Sequence, residues 1–317
     1  MTPFLRCSIA SLLFPMASMP GVFAQDEARG FKPMWKVGDS RTTTTTRQAQ
    51  EVKYGLVEED TTYMTSSTIE VAGMDPNAYA LEVRYTNVAL QAVAAFYDGL
   101  GEELKAYQDL VLAYHADKKT GAAELQNWKE AQAFMDRSFI AISRVMEKQG
   151  PEASRTAERA FAPLKSVFAS KESIEAYMES QVGFLFFPFG KTFTPGDTLR
   201  MEEWAENPFN PEDSVARTTL AWLVDADGPG GLCEVHSTVL LDLTAYKEGV
   251  KSTMRKAGGS VKEIDGIDFD ATNSMVITFD EITTWPTKVV QKGNVVASDA
   301  KGRKEKSVVT TTVLNQP

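Results

Sequence analysis

Few residues of this chain have types and spacings that suit catalysis or metal binding. The sequence contains two histidines, His115 and His236, and Cys233 lies three residues before the second one. Side chains alternate between the two faces of a strand, so this spacing sends Cys233 and His236 to opposite faces of the strand predicted there. The spacing disfavours a cysteine–histidine dyad or a shared metal site. We predict that Cys233 is a small buried side chain.

Two acidic segments have the composition of calcium-binding loops. Asp225 and Asp227 begin a D-x-D-G arrangement, but an EF-hand would need a glutamate at its twelfth position, where this chain has His236. The second segment holds four side chains that carry oxygen: Asp265, Asp268, Asp270 and Asn273. Such residues also favour solvent-exposed bends. We predict solvated turns at both segments, and a calcium site is the alternative.

Common catalytic and cofactor-binding motifs are absent from the sequence. It contains no G-x-S-x-G elbow, no H-E-x-x-H, no C-x-x-C, no P-loop and no G-x-G-x-x-G. No nucleophile, base and orienting group can be assembled from the remaining residues. We therefore expect a protein that is not an enzyme and that uses no cofactor.

The most apolar stretch after the N-terminal region is VGFLFFPFG, residues 182–190. Its aromatic side chains either fill the core between helices and sheet, which is the interpretation we favour, or line the mouth of an apolar cavity. If a ligand binds, the candidate contact residues are aromatic: Phe184, Phe186, Phe187, Phe189, Trp128 and Trp222.

The N-terminus has the pattern of a secretory signal peptide. Arg6 precedes an apolar run, and Val22 and Ala24 occupy the positions that a signal peptidase reads before a cut after Ala24. The run is too short to span a membrane, and no later stretch is long enough. We expect residues 1–24 to be removed and the mature chain to be a soluble periplasmic or secreted protein without a transmembrane segment.

Charge and cysteine content exclude several classes of protein. The formal net charge of −10 makes nucleic acid an unsuitable partner, because the phosphate backbone is also negative. Cys7 lies in the predicted signal peptide, so the mature chain keeps one cysteine and forms no internal disulfide.

Residues 31–96 read as a first β segment. Alternating or β-branched stretches predict strands over 40–52, 59–71 and 78–85, and AGMDPN between the last two has hairpin composition. The threonine run Thr42–Thr46 predicts a strand with at least one exposed face. A free sheet edge at this run is the alternative.

Residues 97–181 read mainly as a helical insertion. LVLAYHADKKTGAAEL first predicts a short strand pair that turns at Lys119–Gly121. A helical stripe then follows, with Asn127 and Glu130 as a capping box and Gly150–Pro151 as its end. The stripe consists of Trp128, Ala131, Met135, Phe139, Ile142 and Met146. Shorter helical stripes are predicted further on: Leu164, Val167 and Phe168, and then Ile174, Tyr177 and Met178.

Residues 182–317 read as a second β segment with one helix over 243–256. Strands are predicted over 198–204, 219–224, 232–241, 274–279, 287–296 and 306–314. Gly38-Asp39 and Gly196-Asp197 precede the first strand of each β segment, and each segment then has a hairpin with acidic turn residues. We predict that the two segments arose by internal duplication.

Several short motifs give the chain a family resemblance. They are WKVGD at 35–39, LQNWKEAQAFM at 125–135, FFPFGKTFTPGDT at 186–198 and ITTWPTKVV at 282–290. With these the chain resembles uncharacterised exported bacterial proteins that are rich in β structure. At the level of fold it is also similar to the outer-membrane lipoprotein carriers, a resemblance that implies a curved sheet around an apolar cavity with helices as its plug.

We expect a single α+β domain over 25–317, a curved, half-barrel-like antiparallel sheet built from two related β segments with the helical insertion packed against it. Two functional hypotheses follow. The first is a periplasmic binding module for a lipid or other apolar small molecule. The alternative is a structural or protein-interaction component of the cell envelope.

Overall fold

The fold was established from a computed structural model, which describes residues 28–86, 109–155, 158, 170–171, 174–175, 182–207, 210–228, 231–256, 266–299 and 302–316. The predicted signal peptide with its cut after Ala24 lies outside these residues. So do Asp265 of the second acidic segment and five residues of the short helical stripes: Leu164, Val167, Phe168, Tyr177 and Met178.

One large antiparallel sheet dominates the described part of the chain. The strands, in chain order, are β1 (Arg29–Gly30), β2 (Ser40–Lys53), β3 (Leu56–Met74), β4 (Ala78–Thr86), β5 (Asp109–Asp117), β6 (Ala123–Leu125), β7 (Thr192–Phe193), β8 (Leu199–Asn207), β9 (Asn210–Gly228), β10 (Leu232–Leu241), β11 (Asp268–Asp280), β12 (Pro286–Asp299) and β13 (Gly302–Asn315). Eleven of them form a single sheet in the order β6-β5-β4-β3-β2-β13-β12-β11-β10-β9-β8, while β1 pairs with β7. The sheet is curved, and the chain has the α+β architecture expected from its sequence.

The threonine-rich strand β2 lies in the middle of this sheet. It pairs with β3 along its whole length and with β13 from Thr42 to Lys53, so the alternative of a free edge at the threonine run is wrong. Hydroxyl groups link it to both neighbours. Thr43 Oγ1 lies 2.6 Å from Ser67 Oγ, and Thr45 Oγ1 lies 2.9 Å from Thr312 Oγ1. The short polar side chains therefore join β2 both to the next strand of the chain and to β13, the last strand.

The predicted turns between strands are present. Asp75 Oδ1 accepts hydrogen bonds from the backbone N–H groups of Asn77 and Ala78 between β3 and β4. Asp117 makes the equivalent contacts between β5 and β6, where Gly121 has a φ of 73°. Strands β5 and β6 lie within 97–181, but β5 pairs with β4 and β6 pairs with β5, so this part of the predicted helical insertion belongs to the sheet.

Two long helices accompany the sheet in the described ranges. Helix α1 (Trp128–Gln149) begins where the capping box was predicted, but the Asn127 side chain makes no capping hydrogen bond. Asn127 instead accepts from the backbone N–H of Ala113 and donates to the carbonyl of Val111, which extends the ladder of β5. The prediction of a capping box is therefore wrong, because the Asn127 side chain forms hydrogen bonds with the backbone of β5 instead. Helix α2 (Leu243–Lys256) has the predicted bounds.

The core combines the inner face of the sheet with a group of stacked aromatic rings. Trp35 and Trp285 stack with ring centroids 4.3 Å apart, and Tyr79, Phe186 and Phe189 surround Trp35 at 5.4 to 6.0 Å. All five side chains are buried. This group joins β4, the residue that precedes β12 and the segment at 182–191.

Candidate ligand-binding cavity

The aromatic segment at 182–191 folds as a short compact connection. Its first turn is a 3-10 helix, Gly183–Leu185, and the N–H of Phe189 then donates to the carbonyl of Phe186 at 2.9 Å. Phe184, Leu185, Phe186 and Phe189 are all buried. This placement agrees with the core-filling interpretation.

Two glycines allow this segment to pack tightly against the turn between β5 and β6. A Cβ on Gly121 would lie 2.7 Å from the carbonyl oxygen of Phe186, and a Cβ on Gly190 would overlap the carbonyl oxygen of Lys119. Both glycines have positive φ, a conformation that other residues adopt at a cost. The segment is therefore fixed to the β6 end of the sheet.

A cavity of about 400 Å³ lies beside this segment. Its wall includes Leu125 of β6 and Met201 of β8, the two terminal strands of the sheet. Phe186, Phe187 and Val182 contribute from the aromatic segment. The inner face of strands β9 to β12 adds Thr219, Ser237, Met275 and Gln291 to the wall. The wall therefore contains both polar and apolar side chains. This volume is in the range of known small-molecule sites.

Lys191 supplies a positive charge to the wall of the cavity. Its Nζ donates to the carbonyl of Phe187 at 2.5 Å and lies 4.9 Å from the centroid of the Phe187 ring. Burial lowers the pKa of this lysine, and the negative charge of Glu203 opposes that shift. Among the described residues, no carboxylate forms an ion pair with Lys191.

The other charged residues of the wall are paired. Glu203 and Arg217 face each other on β8 and β9, and Arg217 Nε donates to Glu203 Oε2 at 3.1 Å. Glu175 lies 3.6 Å from Lys171 Nζ and accepts from the backbone N–H of Leu125 at 3.3 Å.

Tyr114 of β5 is another wall residue of this cavity, and its hydroxyl is buried. The residue is only 4% exposed, and its Oη has no hydrogen-bond partner within the described ranges. Burial raises the pKa of the phenol, with smaller contributions from Tyr85 and Glu175, so the group stays neutral and keeps its proton. A buried hydroxyl of this kind is uncommon unless a ligand or water completes it.

The six predicted contact residues separate into three groups. Phe186 and Phe187 line the cavity. Phe184 and Phe189 belong to the core, and half-buried Trp128 packs against it outside the cavity wall. Trp222 lies on the opposite face of β9 from the buried Ala221 and Leu223, with its ring 5.8 Å from that of His236. Alternation along β9 is the reason that Trp222 does not reach the cavity.

Lys191 and Tyr114 are among the wall residues that sequence reasoning missed. The sequence pattern indicates that Tyr114 is buried, since it lies two residues from both Leu112 and Ala116 and shares the buried face of β5 with them. Lys191 directly follows the aromatic segment, but a lone lysine in a connection normally points to solvent.

Cys233 is buried on the inner face of β10, and His236 lies on the other face, as the spacing predicted. The side chains of Asp225 and Asp227 lie outside the described part. Where side chains are described, no group of three or more histidine, cysteine, aspartate or glutamate residues is arranged to hold a metal ion.

None of the described helices is both long enough and apolar enough to cross a membrane. No model of a known protein family matches the chain, and no curated protein matches it either.

Proposed function

We propose that this chain is an exported binding module that holds an apolar or amphiphilic small molecule inside its curved sheet. The cavity beside the aromatic segment is the observation that carries the proposal. Its wall combines aromatic and aliphatic side chains with polar and charged ones, a mixture that suits an amphiphilic ligand. Export is part of the proposal through the predicted signal peptide.

The positions of the sheet ends support a half-barrel. Strands β6 and β8 are the two ends of the strand order, yet Leu125 of β6 and Met201 of β8 line one cavity. The ends of the sheet therefore approach each other across the cavity, and the segment at 182–191 fills part of the gap. Such a half-barrel would enclose a ligand on three sides.

The two Gly-Asp turns support a sheet made of two related β segments. Gly38 and Gly196 have φ values of 88° and 82°, and each next residue donates to the carbonyl three positions back, at 2.9 Å for Asp39 and 3.0 Å for Asp197. Each turn leads into the first strand of an antiparallel meander, β2 or β8. The same local geometry at the same place in two meanders is what a diverged duplication would leave.

A cavity-filling variant tests the proposal. Ser237→Phe places a ring in the cavity, whereas Thr238→Phe places the same ring on the other face of β10. We expect Ser237→Phe to weaken binding of the neutral probe N-phenyl-1-naphthylamine at least about tenfold, with Thr238→Phe unchanged. Native mass spectrometry of the chain from its own envelope fraction should also reveal a bound small molecule. Equal binding by both variants, together with no added mass, would refute the proposal.

A structural or interaction role in the envelope is the second candidate. Strand β8 pairs with β9 along one side and with no other strand of the described part of the chain, and its Trp204 is 76% exposed. An open strand edge beside an exposed tryptophan suits strand addition by a partner. Crosslinking in cells from position 204 would recover that partner, and the absence of any crosslinked protein would count against this role.

A further inference from the structure

We propose that the ligand of this cavity is a singly charged anionic amphiphile with a carboxylate head, which Lys191 and Tyr114 hold while its apolar body lies against Phe186 and Phe187. This inference rests on the proposed binding function. It names the chemical class of the ligand and the two residues that select it.

Lys191 has the properties of a carboxylate receptor. Its ammonium group has three N–H donors, one of which is directed to the carbonyl of Phe187. Lys191 is partly buried and lacks an ion-pair partner in the described ranges, so it gains from an anion brought by a ligand. The Phe187 ring under the ammonium group orients it at the cavity wall.

Tyr114 provides the second contact. Tyr114 is a wall residue of the cavity, and its buried hydroxyl has no partner in the described part of the chain. A buried donor without an acceptor destabilises the folded state, so a ligand oxygen beside Tyr114 would satisfy it. A carboxylate head group has two oxygens that only accept hydrogen bonds, and it therefore suits the two donors, the Lys191 ammonium group and the Tyr114 hydroxyl.

The remaining charges of the wall limit the ligand to one negative charge. Glu203 pairs with Arg217, and Glu175 pairs with Lys171. A second negative charge on the ligand would therefore have to compete with Glu203 for Arg217 or with Glu175 for Lys171. Both carboxylates would repel a doubly charged phosphate head. A volume of about 400 Å³ accommodates roughly thirteen water-sized groups, which matches a fatty acid of about twelve carbons.

The probe set compares head groups on one chain length. Dodecanoate, dodecanol and dodecyltrimethylammonium are titrated below their micelle concentrations into the full chain, with displacement of N-phenyl-1-naphthylamine as the readout. We expect dodecanoate to bind about ten- to a hundredfold more tightly than dodecanol, since the charged head gains a charge-assisted hydrogen bond. The cationic probe should bind weakest.

Three variants locate the head group. Lys191→Met should weaken dodecanoate binding about ten- to a hundredfold and change dodecanol binding less than about twofold. Tyr114→Phe should weaken dodecanoate binding roughly three- to tenfold, because one neutral donor is lost. Lys36→Met is the matched control, since Lys36 lines a separate, more open cleft of about 560 Å³. We expect it to leave both affinities unchanged.

The outcomes separate the inference from the function on which it rests. Equal binding of dodecanoate and dodecanol would overturn the carboxylate assignment and leave the binding function intact. Loss of dodecanoate binding in Lys36→Met rather than Lys191→Met would overturn the assignment of the site. If no probe binds the folded chain, both the carboxylate assignment and the binding function fail.

Discussion

Gly121 and Phe186 touch so closely that a Cβ on the glycine would lie 2.7 Å from the carbonyl oxygen of the phenylalanine. The glycine belongs to the turn between β5 and β6, and Phe186 belongs to the aromatic segment that lines the cavity. Backbone therefore packs against backbone at this junction. Both residues are also part of the cavity wall.

Gly121→Ala should destabilise the fold strongly. Gly121 has a φ of 73°, so alanine carries the cost of positive φ and also displaces Phe186. We expect a loss of about 2 to 4 kcal/mol in the free energy of unfolding, measured by urea denaturation. Gly196→Ala is the control, because its φ is 82° and a Cβ there meets open space. That variant should lose about 1 kcal/mol, and equal losses in both variants would show that the contact with Phe186 contributes nothing.

Lys191→Met should stabilise the folded chain near neutral pH. Burial lowers the pKa of Lys191, so the unfolded chain holds its proton to higher pH than the folded chain does. Stability therefore rises with pH between the lowered pKa and 10.5, and this rise should disappear in the methionine variant. The gain at neutral pH should be about 1 kcal/mol or less, since the partly exposed ammonium group is screened by solvent. Urea denaturation across that pH range measures both effects. A variant that is less stable than the parent at neutral pH would contradict this account.

Asp117→Asn should reduce the loss of folding stability that the protein shows as the pH is lowered. Hydrogen bonds from the backbone and side chain of Thr120, and from the backbone of Lys119, lower the pKa of Asp117 below 3.8. The folded state therefore gains stability from the ionised carboxylate above that pH and loses it as pH falls through the lowered pKa. Asparagine keeps an acceptor oxygen but does not titrate. The drop in urea midpoint from about pH 6 to about pH 3 should be smaller in the variant, and an identical drop would refute the prediction.

Local patterns predicted most of the strands and turns of this fold. Alternation identified β4 and β10, and the turn compositions of AGMDPN and of Lys119–Gly121 identified two hairpins, because each signal acts over a few residues. The bounds of α2 were also readable from its helical spacing. Such features depend on neighbours in sequence, which a single chain displays directly.

The cavity depended on contacts that no local pattern displays. The pairing of β2 with β13 joins residues more than two hundred positions apart, and the cavity wall combines Leu125 of β6 with Met201 of β8, which lie at the two ends of the strand order. Asn127 illustrates the same limit at one residue: its spacing to Glu130 predicted a helix cap, yet the edge of β5 uses its side chain. Tertiary contacts decided these positions and therefore decided which aromatic residues reach the cavity.

Two tryptophans with opposite environments give the last prediction. Trp285 is 1% exposed and stacks on Trp35, whereas Trp204 is 76% exposed on the terminal strand β8. Trp285→Ala should cost about 3 to 5 kcal/mol in unfolding free energy, because a large buried ring is lost. Trp204→Ala should stay within about 0.5 kcal/mol of the parent.

Trp285→Phe refines this comparison. The indole N–H of Trp285 has no hydrogen-bond partner among the described residues, so phenylalanine removes volume without breaking a hydrogen bond. We expect a smaller loss than in the alanine variant, because an aromatic ring still faces Trp35. Urea denaturation of the three variants under one buffer measures the order. If Trp204→Ala proved as costly as Trp285→Ala, Trp204 would have to be buried in solution by a second surface, and the interaction role of β8 would then be favoured over the ligand-binding role.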